Sequence, residues 1–125
     1  KLNDYKLYNH FRFTGYVQHP EEFYKLSDVF LFLSVSEGLP NVCLEAQASG
    51  LPVIMYKIDG AEKIIVKDNS GIIVNSYIEA ADNLNKYIND KDFLMHASNK
   101  SRQNAVKNFD KDIVVNKLAG IYNEL

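Results

Sequence analysis

The chain has little of several features that would identify large classes of protein. Among its 125 residues there is no tryptophan and a single cysteine, Cys43, so no intramolecular disulfide can form. Its 14 basic and 16 acidic side chains are interspersed and give a formal net charge of -2. Because no basic stripe is available to neutralise a phosphate backbone, nucleic acid is not an expected partner.

Long apolar runs and a targeting segment are lacking as well. The longest apolar run, from Val29 to Leu33, is far shorter than the ~20 residues of a membrane helix, so membrane association is not encoded in this chain. The chain opens with Lys1-Leu2-Asn3-Asp4, which does not fit a secretory signal. We therefore expect a cytoplasmic protein in a reducing environment.

Apolar runs of strand length alternate with segments of helical period, which indicates an α/β domain with parallel strands joined by crossover helices. The length suits one domain. Four strands are expected, at positions 11–14, 29–33, 52–56 and 72–74. The strand at 29–33 is apolar at every position, so we expect it in the centre of the sheet with both faces covered.

Helices are expected between these strands and over the last third of the chain. One begins at Pro20 and turns Phe23 and Leu26 toward the sheet, a second runs from Asn41 to Ser49, and Gly50 stops it in a left-handed conformation. A third spans 61–66 and leads to a turn at 68–71. Two later apolar stripes are expected to cover the sheet, one formed by Ile78, Ala81, Leu84 and Ile88, the other by Val114, Leu118, Ile121, Tyr122 and Leu125.

The loop at 34–41 is the first place to look for chemistry, because ligands of open parallel sheets bind beyond the carboxyl ends of the strands. With Pro40 at the first helical position, the amides of Asn41, Val42 and Cys43 would point out of the helix start. Such a helix end attracts phosphate.

Two acidic residues, Glu37 and Glu45, flank this helix start. Because carboxylates repel phosphate, they favour a ligand that also offers hydroxyl groups and developing positive charge, as a nucleotide sugar does. Glu45 would accept hydrogen bonds from a ribose diol, and Glu37 would stabilise an oxocarbenium-like transition state. Taken singly, Glu37 is explained as well by a solvated loop position, and Glu45 is explained better as a helix-surface acid. It is their spacing that favours a site.

At these residues the sequence resembles a known family. The segment 36–46, continued by Gly50-Leu51-Pro52-Val53, is similar to the E-x7-E signature of retaining glycosyltransferases of sequence family four, also called group 1, which have the GT-B fold. The segments 13–17, 59–62 and 69–74 resemble further family elements in the same order.

The resemblance implies a Rossmann-like three-layer domain, with residues 1–125 forming one partial nucleotide-sugar-binding domain that lacks the first strands of the GT-B carboxy-terminal domain. By this resemblance, Glu37 would make the catalytic contact with the transferred sugar, and Glu45 would bind the ribose hydroxyl groups. Tyr16 and Val17 would border the base. The backbone that faces sugar and diphosphate would belong to Gly38, Leu39, Pro40, Asn41 and Val42, of which the proline offers no donor.

For function, the resemblance implies a hexosyltransferase-type enzyme of polysaccharide biosynthesis. It would transfer a sugar from a nucleoside diphosphate donor to a glycan, lipid or small-molecule acceptor with retained anomeric configuration, and would need no metal or other cofactor. The family's Arg and Lys phosphate pair and its amino-terminal acceptor domain are absent from this chain, so we expect the chain alone to be inactive.

The absence of the family's first strands also affects the expected sheet. We expect the strands at 29–33, 52–56 and 72–74 to be adjacent and parallel. The strand at 11–14 would either pair in another way or leave an apolar edge through which the chain self-associates.

Two other functions remain open. One is a non-catalytic module that binds a nucleotide sugar, and the other is a different enzyme on a similar sheet, such as a GT-B-like nucleotide-sugar epimerase or a dehydrogenase. Nicotinamide and P-loop enzymes lack support, because there is no G-x-G-x-x-G after the first strand and no G-x-x-x-x-G-K-[ST]. His10, His19 and His96 lie apart without ligand spacing, so no metal site is expected.

Overall fold

The computed structural model describes residues 6–65 and 70–124, which fold around a three-stranded parallel sheet. The strands are β1 (Phe30–Phe32), β2 (Val53–Tyr56) and β3 (Gly71–Val74), hydrogen-bonded in the order β1-β2-β3. This confirms the α/β class and the predicted adjacency of the three strands. Val66, Asp68, Asn69 and Leu125, which belong to predicted elements, lie outside the described residues.

Six α-helices precede, separate or follow these strands in the described part of the chain, after a short 3-10 turn at Tyr8–His10. They are α1 (Pro20–Lys25), α2 (Asn41–Ala48), α3 (Ala61–Ile64), α4 (Tyr77–Asn89), α5 (Lys91–Phe109) and α6 (Lys111–Asn123). The last three begin at capping side chains, because Ser76, Asp90 and Asp110 each accept a hydrogen bond from a backbone amide of the first turn.

The two faces of β2 define the two halves of the core. Val53 and Met55 are fully buried in the cluster beneath α2, while Ile54, which points the other way, is fully buried against α4 and the first half of α5. The sheet is therefore covered on both faces, as in a three-layer, partial Rossmann-like domain.

The prediction that the strand at 29–33 lies in the centre of the sheet is wrong. β1 lies at the edge, and Leu31 is 45% exposed. The first of the four predicted strands, at 11–14, does not form, and Phe13 is 74% exposed. An extended segment needs a neighbour to pair its backbone groups, and within the described residues no strand lies beyond β1 to supply one.

The predicted inner face of α1 is also wrong. Phe23 and Leu26 are 46% and 86% exposed, whereas Tyr24 is buried. The Tyr24 ring packs edge-on against Phe30 of β1, with ring centroids 5.7 Å apart. The helix has one and a half turns, too few for a periodic stripe, so this aromatic contact sets its orientation.

The later helices differ from their predicted faces too. On α4 the buried side is formed by Ala80 and Tyr87, with Leu84 between them, while Ile78 and Ile88 are exposed. The large ring of Tyr87 stacks on Phe93 of α5, and this packing rotates the helix away from the predicted stripe. No described residue of α6 is buried, because α6 packs on α5 and does not cover the sheet.

Gly71 lets β3 approach β2 closely. It pairs in register with Val53, and an added Cβ would overlap the Val53 backbone oxygen and lie 2.6 Å from Ile65 Cδ1. Both neighbours are buried parts of the core and leave little room for adjustment.

We expect Gly71→Ala to lower the free energy of unfolding by about 1–3 kcal/mol, since the new methyl group must displace backbone or core atoms. Urea denaturation followed by circular dichroism measures this change. The control is Gly120→Ala on α6, where an added Cβ meets no described atom within 4 Å outside its own helical turn. This substitution should raise stability by up to about 1 kcal/mol through helix propensity. Equal stability of Gly71→Ala and the parent chain would show that the two strands do not approach as described.

Candidate functional site

The loop after β1 and the start of α2 form the centre of the candidate site. Pro40 is the residue before the helix, with φ -72° and ψ 97°, and the helix begins at Asn41. The Cys43 amide donates to the Pro40 carbonyl at 3.0 Å. Sequence reasoning placed Pro40 one position further into the helix and counted the Cys43 amide as free; the structure corrects both.

The amides of Asn41 and Val42 have no acceptor within the described residues, and no side chain caps this helix end. Two unsatisfied donors at the positive end of a helix dipole can bind an anionic group. This part of the expectation, a bare helix start beyond the carboxyl end of β1, agrees with the structure.

Glu37 lies in the exposed loop that leads to α2. Its carboxylate Oε1 accepts a hydrogen bond from Ser34 Oγ at 3.0 Å. This contact lies within the loop itself, so it orients the carboxylate without withdrawing it from solvent. Glu37 is accessible to a ligand that approaches the strand ends.

Glu45 lies one turn into α2. Its carboxylate Oε2 accepts a hydrogen bond from the hydroxyl group of Tyr24 on α1, at 3.1 Å. Glu45 is an exposed residue and its partner is buried, so a firmly packed hydroxyl group holds one carboxylate oxygen while the residue stays accessible to solvent.

Cys43 lies between the two acids in the sequence and is fully buried on the inner face of α2. Burial, and after it the charge of Glu37, raises the pKa of its thiol to about 12. The thiol is therefore protonated at neutral pH and acts as a small packed side chain rather than a nucleophile.

Tyr16 and Val17 are less closely connected to this centre. Tyr16 is 94% exposed and Val17 is half-buried. Within 6–65 and 70–124, no hydrogen bond joins either residue to α2. The structure thus groups the loop from Glu37 to Val42 with Glu45, and leaves the proposed base contacts as a prediction.

Two clefts border the site. One, of about 370 Å³, lies at the carboxyl ends of the strands between Val35, Tyr56, Lys57, Val74 and Asn75. The other, of about 390 Å³, lies on the outer side of α2, where Glu45 meets α5 and the start of α6.

Sequence reasoning missed Lys57, which brings a cation to the strand ends next to the loop of Glu37. Its position directly after β2 was the available signal. Glu37 does not line the cleft of Glu45, so the sharing of one ligand by the two acids stays a prediction.

A buried network of amide side chains holds α2 in place. Asn104 Nδ2 on α5 donates to Gln47 Oε1 on α2 at 2.6 Å and to the Ile64 carbonyl at 2.8 Å. Gln47 Nε2 donates to the same carbonyl at 3.1 Å, and both amide side chains are almost fully buried. The network ties the site helix to α3 and α5.

Among the described residues, no group of three or more His, Cys, Asp or Glu side chains is placed to hold a metal ion. No helix in that part of the chain has the length and apolar character needed to cross a membrane.

Comparison with known proteins gives a family match over most of the chain. The family model described as "Glycosyl transferases group 1" matches residues 1–108. This range includes the sheet, the loop of Glu37 and α2.

Individual relatives carry consistent names. The capsular polysaccharide biosynthesis glycosyltransferase CapM of Staphylococcus aureus is 32% identical over 110 residues, which cover 86% of this chain and 29% of that protein. The UDP-Gal:alpha-D-GlcNAc-diphosphoundecaprenol alpha-1,3-galactosyltransferase of Escherichia coli is 30% identical over 102 residues, covering 81% and 26%. The N-acetyl-alpha-D-glucosaminyl L-malate synthase of Bacillus anthracis is 25% identical over 115 residues, covering 90% and 30%. The chain thus spans less than a third of the length of these relatives.

We expect Asn104→Ala to lower the free energy of unfolding by about 1–3 kcal/mol, because it leaves the buried amide of Gln47 and the Ile64 carbonyl with fewer partners. Urea denaturation measures the loss. Asn99→Ala provides the control, since Asn99 is an exposed asparagine of the same helix, and its replacement should be neutral or slightly stabilising. If the two variants were equally stable, the network would not hold α2.

Proposed function

Because the chain belongs to the family of glycosyl transferases group 1, we propose that it is the donor-binding part of a retaining glycosyltransferase of the GT-B fold. The observation that carries the proposal is the bare start of α2 with an acidic residue on either side of it. In this proposal the complete enzyme transfers a hexose-type sugar from a nucleoside diphosphate to a glycan, lipid or small-molecule hydroxyl group.

The diphosphate would bind at the start of α2. The amides of Asn41 and Val42 supply donors there, and Pro40 directs the chain into the helix without a donor of its own. Lys57 is a nearby cation that offsets part of the negative charge at the strand ends. No metal is required in this proposal, because amides and cations receive the charge of the diphosphate.

Glu45 would bind the ribose. A carboxylate that is fixed at one oxygen and open elsewhere can accept hydrogen bonds from both hydroxyl groups of a ribose, a pairing that recurs in nucleotide-binding α/β folds. The Tyr24 contact leaves Oε1 and one lone pair of Oε2 available for these bonds.

Glu37 would face the transferred sugar. During transfer the bond between the anomeric carbon and the diphosphate oxygen breaks, the acceptor hydroxyl oxygen bonds to the same face of that carbon, and the hydroxyl proton passes to the departing nucleoside diphosphate. Positive charge develops on the sugar ring in between, and a carboxylate about 4 Å away stabilises it by about 4 kcal/mol at an effective dielectric near 20. The loop position of Glu37 supports this role because the carboxylate is oriented by Ser34 and accessible.

The relatives' names support transfer in preference to the other functions. CapM and the galactosyltransferase are named glycosyltransferases, and none of the three relatives described above is named an epimerase. A binding module without turnover would differ from an enzyme in one respect, since it would bind the donor and transfer no sugar.

Titration of the chain with UDP, GDP, ADP and CDP, followed by calorimetry, tests donor binding. We expect one of them to bind at a single site, and Glu45→Ala to weaken it by about ten- to a hundredfold because hydrogen bonds to a charged group are lost. Glu22→Ala on α1 is the control, an exposed glutamate that should leave the affinity unchanged. If none of the four nucleotides bound, the proposed donor site would be wrong.

For the complete enzyme, we expect Glu37→Gln to lower kcat by about a hundredfold or more with little effect on donor KM, since the lost charge acts mainly in the transition state. Steady-state kinetics with the parent and variant enzymes measures this, and thermal unfolding checks that the exposed substitution leaves the fold intact. An unchanged kcat removes Glu37 from the mechanism. Donor binding by a parent enzyme that transfers no sugar would instead favour the binding module.

A further inference from the structure

Tyr24 and Glu45 form a contact between α1 and the site helix that no sequence motif indicates. The two residues are 21 positions apart, and the Tyr24 hydroxyl donates to Glu45 Oε2 at 3.1 Å. Within 6–65 and 70–124, this is the one hydrogen bond made by the Glu45 side chain. Glu45 would otherwise be a flexible, exposed side chain.

The tyrosine is itself firmly held. It is 9% exposed, and its ring packs edge-on against Phe30, which in turn stacks on Phe32 with ring centroids 6.4 Å apart. The position of its hydroxyl group is therefore set by β1, the same strand that leads into the loop of Glu37.

The tyrosine hydroxyl is also fixed as a hydrogen-bond donor. Burial, followed by the hydrogen bond and charge of Glu45, raises the pKa of Tyr24 to about 12. The hydroxyl group therefore keeps its proton throughout the neutral range and donates it in the hydrogen bond to Glu45 Oε2.

We propose that Tyr24 is a positioning residue of the donor site, whose hydroxyl group holds the Glu45 carboxylate in the orientation that accepts the two ribose hydroxyl groups. This inference rests on the proposed function. Its physical basis is preorganisation: a carboxylate that is already oriented loses less rotamer freedom when the ligand binds. The ring of Tyr24 has a packing role besides, and Tyr24→Phe separates the two because it removes only the hydroxyl group.

The test compares a ribonucleoside diphosphate with its 2′-deoxy counterpart by calorimetry, using the nucleotide that binds the parent chain best. The parent chain should prefer the ribonucleotide. Tyr24→Phe should bind the ribonucleotide about three- to tenfold more weakly, and its preference over the deoxynucleotide should shrink, because the oriented carboxylate serves the ribose diol. A merely structural role of Tyr24 would change both affinities in proportion.

Tyr87→Phe is the matched control. Tyr87 is another buried tyrosine, on the opposite face of the sheet, where its ring stacks on Phe93. The Tyr87→Phe variant should leave the affinities for the ribonucleotide and the deoxynucleotide unchanged. In the background of Glu45→Ala, Tyr24→Phe should have no further effect on binding, since its partner is gone.

The outcomes separate this inference from the proposed function. Failure of the parent chain to bind any nucleotide overturns the donor site and the role of Tyr24 with it. If the parent chain binds, Glu45→Ala binds weakly and Tyr24→Phe retains the full ribose preference, the donor site stands and the positioning role is overturned.

Discussion

The buried amides of Gln47 and Asn104 are the contact on which the geometry of the candidate site depends. α2 lies on the sheet through small residues, Cys43 and Ala46, which allow a close approach but impose little direction. The amides supply that direction, because each must find partners once it is removed from water. The two amide side chains hydrogen-bond to each other and to the Ile64 carbonyl. These polar contacts near the carboxyl end of α2 fix the rotation of the helix, and they thereby fix the direction in which the free amides at its amino end point.

Much of the sheet and of the site helix was predictable because the signals are local. An unbroken run of β-branched and apolar residues produces β2, and the left-handed Gly50, with φ 86°, ends α2 as expected. Glu37 and Glu45 were singled out by their spacing around one helix start. Their surroundings agree with that view as far as accessibility and hydrogen bonding go, while the ligand roles stay predictions.

The elements that failed are those that depend on distant partners. An apolar segment such as 11–14 carries strand propensity, but propensity alone cannot supply a pairing neighbour. The inner faces of α1 and α4 are set by aromatic contacts of Tyr24 and Tyr87, which outweigh the apolar periodicity of the two helices. Tyr24 was missed at the site for the same reason, since only the fold brings its hydroxyl group to Glu45. Lys57 differs, because its position directly after β2 was a local signal.

The turn that joins α2 to β2 is completed from the other end of the chain. Ser98 and Ser101 of α5 donate their hydroxyl hydrogens to the carbonyls of Gly50 and Leu51, each at 2.5 Å, and Arg102 donates to the carbonyl of Ala48. During synthesis these carbonyls appear about fifty residues before their partners do. The contacts that α5 makes with α2 and with this turn can therefore form only after the chain has been extended past Asn104, well after α2 itself has been synthesised.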